Sequence, residues 1–92
     1  FPQVRRDLAV VVAQEVSAQA VLDILTQTAG DSLQSLVLFD VYQGENIGNG
    51  KKSLALGLTF QHASRTLADD DINPIIDSCI KALEAKFNAE LR

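Results

Sequence analysis

Hydrophobic and polar positions alternate with period two along three stretches of the chain and recur at helical spacing along two others. Asp7 to Ala13 predicts a valine-rich strand, with Leu8, Val10 and Val12 on one face and Asp7, Ala9 and Val11 on the other. Leu33 to Gln43 predicts a second strand. Strict alternation there groups Val37, Phe39 and Val41 on one face and Leu36, Leu38, Asp40 and Tyr42 on the other. Lys52 to Gln61 gives the clearest pattern, large Leu54, Leu56, Leu58 and Phe60 alternating with small Ser53, Ala55, Gly57 and Thr59. Between the first two strands, Ala18, Val21, Leu22, Leu25 and Ala29 form a helical stripe, with Ser17 placed as its N-cap and Gly30 as its stop. A second stripe runs through Ile72, Ile76, Cys79, Ile80, Leu83 and Phe87. Asp69, Asp70 and Asp71 lie near its start, where the helix dipole favours acids. Pro74 within this pattern predicts either a late start or a bend. Gly44 to Gly50 reads as a loop joining strands two and three, and Ala89 to Arg92 as a short last strand.

The order strand, helix, strand, strand, helix, strand is the split βαβ arrangement. It predicts an α+β, ferredoxin-like βαββαβ sandwich in which right-handed crossovers put both helices on one face of a four-stranded antiparallel sheet. The leucines of the third strand then face the helices. The uncovered face carries Ala9, Asp40, Tyr42, Ser53, Ala55, Gly57 and Thr59. This is a shallow floor of small side chains with one aromatic ring and one carboxylate. A flat ligand can approach such a floor closely: Tyr42 offers a ring for stacking on a nucleobase. Asp40 can accept from amino and imino groups such as those of the guanine Watson–Crick edge. Arg5, Arg6, Lys51 and Lys52 are candidates for phosphate contacts around the rim. The same small residues also suit packing beneath a neighbouring domain, and the spacing leaves both readings open. The third strand, K-K-S-L-A-L-G-L-T-F, lacks the aromatic pair of a classical RNA-recognition motif.

Composition narrows the classes. A chain of 92 residues, 47% hydrophobic and 22% charged, has the size and make-up of one globular domain and excludes intrinsic disorder. No apolar run approaches the ~20 residues of a membrane-spanning helix. A single cysteine gives neither an internal disulfide nor a zinc quartet, and no secretory signal precedes Arg5, Arg6 and Asp7. With no methionine and Phe1 at the start, the chain reads as a piece of a longer polypeptide. The net charge of −4 argues against a bulk nucleic-acid binder and predicts modest affinity, suited to a module that adds to binding by a larger body. Catalytic chemistry finds little footing. A phosphate-loop reading of Gly50-Lys51 fails because Glu45 stands where a glycine is required and Lys52 where Ser or Thr is. His62 and Ser64 are neighbours in a strand-end loop, a placement that rarely brings a nucleophile and base together and reads as a surface histidine; Cys79 lies on an apolar stripe, and consecutive Asp69, Asp70 and Asp71 diverge around a helix.

Taken together, F-P-Q-V-R-R-D-L-A at the start, F-D-V-Y-Q-G with G-K-K-S-L-A-L in the middle, L-T-F-Q with R-T-L, and the closing A-E-L-R resemble one family along the whole of Phe1 to Arg92. It is the ferredoxin-fold anticodon-binding domain, found at the C-terminus of the bacterial phenylalanyl-tRNA synthetase β subunit. The resemblance implies a non-catalytic, cytoplasmic RNA-binding domain that holds the anticodon loop of tRNA-Phe while aminoacylation proceeds in the α subunit of a heterotetramer. ATP, Mg²⁺ and phenylalanine would belong to other parts of that enzyme, with no cofactor in this domain and no membrane partner. It further implies that Tyr42 stacks on, and Asp40 hydrogen-bonds, the first anticodon base, a guanine. Ala9, Ser53 and Ala55 would line the base-contacting floor, and Arg92 would be an RNA contact. Ala68, where the family often places a capping Ser or Thr, and Pro74 depart from the pattern. The competing expectation is a ferredoxin-like module for small-ligand regulation or dimerisation, since a fold does not fix a function.

Overall fold

Three ten-residue strands, β1 (Val4–Ala13), β2 (Leu33–Tyr42) and β3 (Lys51–Phe60), make most of the sheet. The structure is a computed structural model that describes residues 1–44 and 46–92. The Glu45 position used against the phosphate-loop reading lies outside the described residues. Helix α1 (Ala18–Ala29) joins β1 to β2, helix α2 (Asp69–Phe87) follows β3, and the two-residue β4 (Glu90–Leu91) completes the order. The sheet order is β2-β3-β1-β4 with every pair antiparallel, the ferredoxin-like α+β arrangement expected from periodicity. β1 begins at Val4, three residues before the expected start at Asp7, because the ladder with β3 continues from Ala13↔Lys51 to Val4↔Phe60.

β3 lies between β2 and β1 and supplies the centre of the core. Leu54, Leu56, Leu58 and Phe60 are all fully buried. They pack in one cluster with Leu8, Val10 and Val12 of β1, Val21 and Leu25 of α1, and Ile72, Cys79 and Leu83 of α2. Both helices therefore cover the same side of the sheet. In α1 the Ser17 hydroxyl accepts from the Ala20 N–H at 3.1 Å, and Gly30 leaves the helix at φ +76°, where a side chain is disfavoured.

α2 starts at Asp69 and runs through Pro74, so the late start is not what happens. Pro74 lacks the N–H that would bond back to Asp70, and burial of Ile72, Cys79 and Leu83 holds the helix in spite of it. With alanine at the N-cap, the capping duty passes to Asp71. Its carboxylate accepts from the Ala68 N–H at 2.8 Å and from Arg65 at 2.9 Å. The Ala68 N–H and then the Arg65 guanidinium hold this carboxyl below its ordinary value.

Two tests follow from this packing. Leu56→Ala empties a fully buried site at the middle of the central strand and should cost about 2–5 kcal/mol in urea unfolding. Asp71 stabilises the fold above its unfolded-state pKa, and that contribution disappears as pH falls through its depressed folded-state value. Asp71→Ala should therefore melt below the parent chain at neutral pH, and the gap between them should close on acidification. A gap that persists at low pH would assign the loss to something other than the carboxylate.

Candidate nucleic-acid interface

The side of the sheet away from the helices is set by the register of β2 against β3. Leu36 pairs with Leu58 and Leu38 with Leu56, whereas Asp40 pairs with Ala55 and Tyr42 with Ser53. The phase changes between Leu38 and Asp40, where Phe39 is an extra residue with no partner on β3. A bulge of this kind shifts the alternation by one. Leu36 and Leu38 consequently pack against the core, and Asp40 and Tyr42 lie together on the open face. The expected grouping of all four on one face is thus corrected, and Val37 and Phe39 join the open face instead. Leucines and a D-x-Y pair at the same parity were the available signal, since one face cannot be both the core wall and the wet side.

Asp40 is exposed and makes no side-chain ion pair with the described residues. Tyr42 is 57% exposed. The guanidinium of Arg92 lies 5.5 Å from the centre of the Tyr42 ring, within cation–π range. Arg92 is fixed from below by its backbone N–H, which donates to the Ala9 carbonyl at 2.9 Å. Since Ala9 is on β1 and Tyr42 on β2, the two side chains converge across β3. Beneath them the register sets Ala9 beside Ala55 and Val11 beside Ser53. Ala9 and Ala55 are half-buried and Ser53 is only 3% exposed, so part of the small-residue floor is sheltered in this conformation.

The two basic doublets divide between the faces, as period two requires of adjacent strand residues. Arg5 stands on the open side, opposite Thr59. Its Nε donates to Asp7 at 2.9 Å and its guanidinium lies 5.6 Å from the Phe39 ring centre. Lys51 is at the same parity as Ser53 and reaches Glu90 at 3.6 Å. Arg6 belongs to the other side: it bonds Asn73 at 2.9 Å and Asp69 at 2.8 Å, tying β1 to the first turns of α2. Lys52 sits opposite Val12 at the core-facing parity. The open sheet face therefore brings together Ala9, Asp40, Tyr42, Ser53, Ala55, Arg92, Arg5 and Lys51, and does not include Arg6 or Lys52.

Of the other candidates for chemistry, His62, Cys79, Asp69 and Asp71 are engaged structurally. The His62 Nδ1 accepts from the Ser64 backbone N–H at 3.0 Å, so the contact between these residues does not involve the hydroxyl. Burial pushes the Cys79 thiol up, away from the reactive thiolate. Asp69 pairs with Arg6 and Asp71 with Arg65, and no group of three His, Cys, Asp or Glu among the described residues is placed to hold a metal ion. No helix among the described residues is long and apolar enough to cross a membrane.

A βαββαβ domain with one face open and furnished with an exposed aromatic, a free carboxylate and arginines defines a ferredoxin-like α+β binding module. The family model described as "Ferredoxin-fold anticodon binding domain" matches residues 1–92, and the chain belongs to that family. It is 52% identical over its whole length to the phenylalanine–tRNA ligase beta subunit of Pseudomonas fluorescens (strain Pf0-1). It is 53% identical to that of Pseudomonas savastanoi pv. phaseolicola and 48% identical to that of Pasteurella multocida (strain Pm70), again over all of this chain. In each case the chain spans 12% of the relative's length.

Tyr42 is the single tyrosine and there is no tryptophan, so intrinsic fluorescence reports on this site alone. Arg92→Ala should uncover the ring and raise the acrylamide quenching constant of that emission while leaving the melting temperature nearly unchanged. An unaltered quenching constant would show that Arg92 does not shelter Tyr42 in solution.

Proposed function

We propose that the open sheet face binds the anticodon loop of tRNA-Phe, and that this chain is the anticodon-binding module of a longer phenylalanine–tRNA ligase beta subunit. The observation that carries the reading is the exposure of Asp40 and Tyr42 side by side over a floor of small residues, in a chain of the anticodon-binding family. In this reading Tyr42 stacks on the first anticodon base, a guanine, and Asp40 accepts from its Watson–Crick edge. Ala9, Ser53 and Ala55 let the base lie close to the backbone. Arg92 changes partners, from the Tyr42 ring to the RNA, and Arg5 and Lys51 meet phosphates.

The module performs no chemistry of its own. Binding at the anticodon, far from the reacting end of the tRNA, restricts the orientations in which that end approaches an active site elsewhere, which is how remote binding energy lowers an entropic barrier. ATP, Mg²⁺ and phenylalanine act on other parts of the cytoplasmic enzyme, which pairs this beta subunit with an alpha subunit in a heterotetramer.

Titration of the 92-residue chain with a labelled anticodon stem-loop of tRNA-Phe, and with a loop of altered anticodon, tests this reading. The cognate loop should bind more tightly and quench the Tyr42 emission. Tyr42→Ala should weaken binding by about 1–3 kcal/mol, roughly 5- to 150-fold. With three cations on the open face, the slope of log K against log salt should be no steeper than about −2. Equal affinity for both loops, or dimerisation indifferent to RNA, would overturn the reading.

A further inference from the structure

The bulge that re-phases β2 also puts a second aromatic ring on the open face. Phe39 is 52% exposed, on the face that carries Tyr42. With Val37 and Tyr42, both at the open parity and at least half exposed, Phe39 makes a contiguous apolar and aromatic patch, which marks an interaction surface. One side of its ring is already met by the Arg5 guanidinium at 5.6 Å. That guanidinium is held in place from two further directions. Its Nε donates to Asp7, and the guanidinium crowds Gly57, where an added Cβ would stand 2.7 Å from Nη2. Gly57 therefore acts as a bare saddle over which Arg5 crosses β3 to reach β2. Ring, guanidinium and saddle reproduce on one half of the sheet the pairing of Tyr42 with Arg92 on the other half. Along β3, Tyr42 sits at Ser53 and Phe39 between Ala55 and Leu56, a separation of about 7–10 Å at the rise of a strand.

We propose that Phe39 and Arg5 form a second nucleobase-stacking station, which takes a base neighbouring the one on Tyr42. The proposal rests on the anticodon-loop reading and adds to it. The occupant is a base of the same single-stranded loop. A stacked base covers the apolar ring, and the cation beside it favours a base with a phosphate attached over an uncharged apolar partner. Arginine planes and aromatic rings are two surfaces on which unpaired bases stack, and here the two stand side by side. The bulged position suits this use. Phe39 has no partner across the ladder, so its ring can lean over the sheet without disturbing the register on either side.

The phenylalanine codons UUU and UUC pair with the anticodon G-A-A, so the test uses the 92-residue chain and anticodon stem-loops in which 2-aminopurine replaces one or the other of its two adenines. In the parent chain, one of the two labels should be quenched on binding. Phe39→Ala should weaken binding roughly 5- to 100-fold and abolish that quenching, and Phe39→Trp should restore both. Phe39→Leu keeps the apolar volume if the alanine variant folds poorly, and it should behave as the alanine variant does. If Phe39→Leu binds and quenches like the parent, the ring is simple apolar cover and the second station is overturned. If Phe39→Ala binds like the parent while Tyr42→Ala does not, the second station is overturned and the anticodon-loop reading stands. If neither variant changes RNA binding, both are overturned.

Discussion

The phase shift of β2 at Phe39 is the constraint on which the open face depends. Without it, a ten-residue strand paired to β3 would send Leu36, Leu38, Asp40 and Tyr42 to one side. Either two leucines would then be lost from the core or a carboxylate and a phenol would be pressed under the helices. Burying an unpaired carboxylate is the costlier outcome, since desolvation of the charge has no offset there. One extra residue resolves the conflict by letting Leu36 and Leu38 pair with Leu58 and Leu56 while Asp40 and Tyr42 pair with Ala55 and Ser53. The same residue, having no cross-strand partner, is free to place an aromatic ring on the wet side.

Charge on that side is balanced. Arg5, Lys51 and Arg92 face Asp7, Asp40 and Glu90, and two of the cations are engaged with two of the anions. A surface built for non-specific capture of a polyanion would be cationic. In the proposed function, this one would attract RNA weakly at long range and discriminate at short range, through ring faces and the Asp40 carboxylate, which has no ion-pair partner among the described residues. Such an arrangement fits a chain of net charge −4 that accounts for 12% of the length of its relatives. The bulk of phosphate binding can reside elsewhere, and base contacts can be concentrated here.

The architecture was legible because each element carries its period cleanly. The alternation of Leu54, Leu56, Leu58 and Phe60 with small residues announces a strand walled by helices on one side only. Ser17 and Gly30 bracket α1 in the chain as they do in space. The start of α2 was less legible: Ala68 offers no capping side chain, and the acceptor for its N–H comes from Asp71, three residues on. Adjacent cations fall on opposite sides of the sheet. Period two alone separates Arg5 from Arg6 and Lys51 from Lys52, and the structure places Arg6 on Asp69 and Asn73. The bulge was hidden because a single extra residue alters no propensity. Only the clash between apolar and polar residues at one parity betrays it. Long-range reach was beyond any local pattern: nothing in the spacing from Tyr42 to Arg92 indicates that they meet above β3.

That reach has a consequence for how the floor is kept ready. A bare floor of Ala9, Ala55 and Ser53 beside an unsupported tyrosine ring would leave the ring many rotamers to lose on binding, each restricted side chain costing free energy. Arg92 on Tyr42 and Arg5 on Phe39 limit both rings to positions over the sheet before any ligand arrives. A cation–π contact at an exposed site is worth only about 0.5–1 kcal/mol, comparable to the ordering it imposes. In the proposed function, that is strong enough to hold a ring near the sheet and weak enough to yield when a base offers a larger stacked area. In the proposed function arginine suits this place better than lysine, because its planar head lies within 5.6 Å of the ring centre without a ligand and carries several donors for phosphate or base edges.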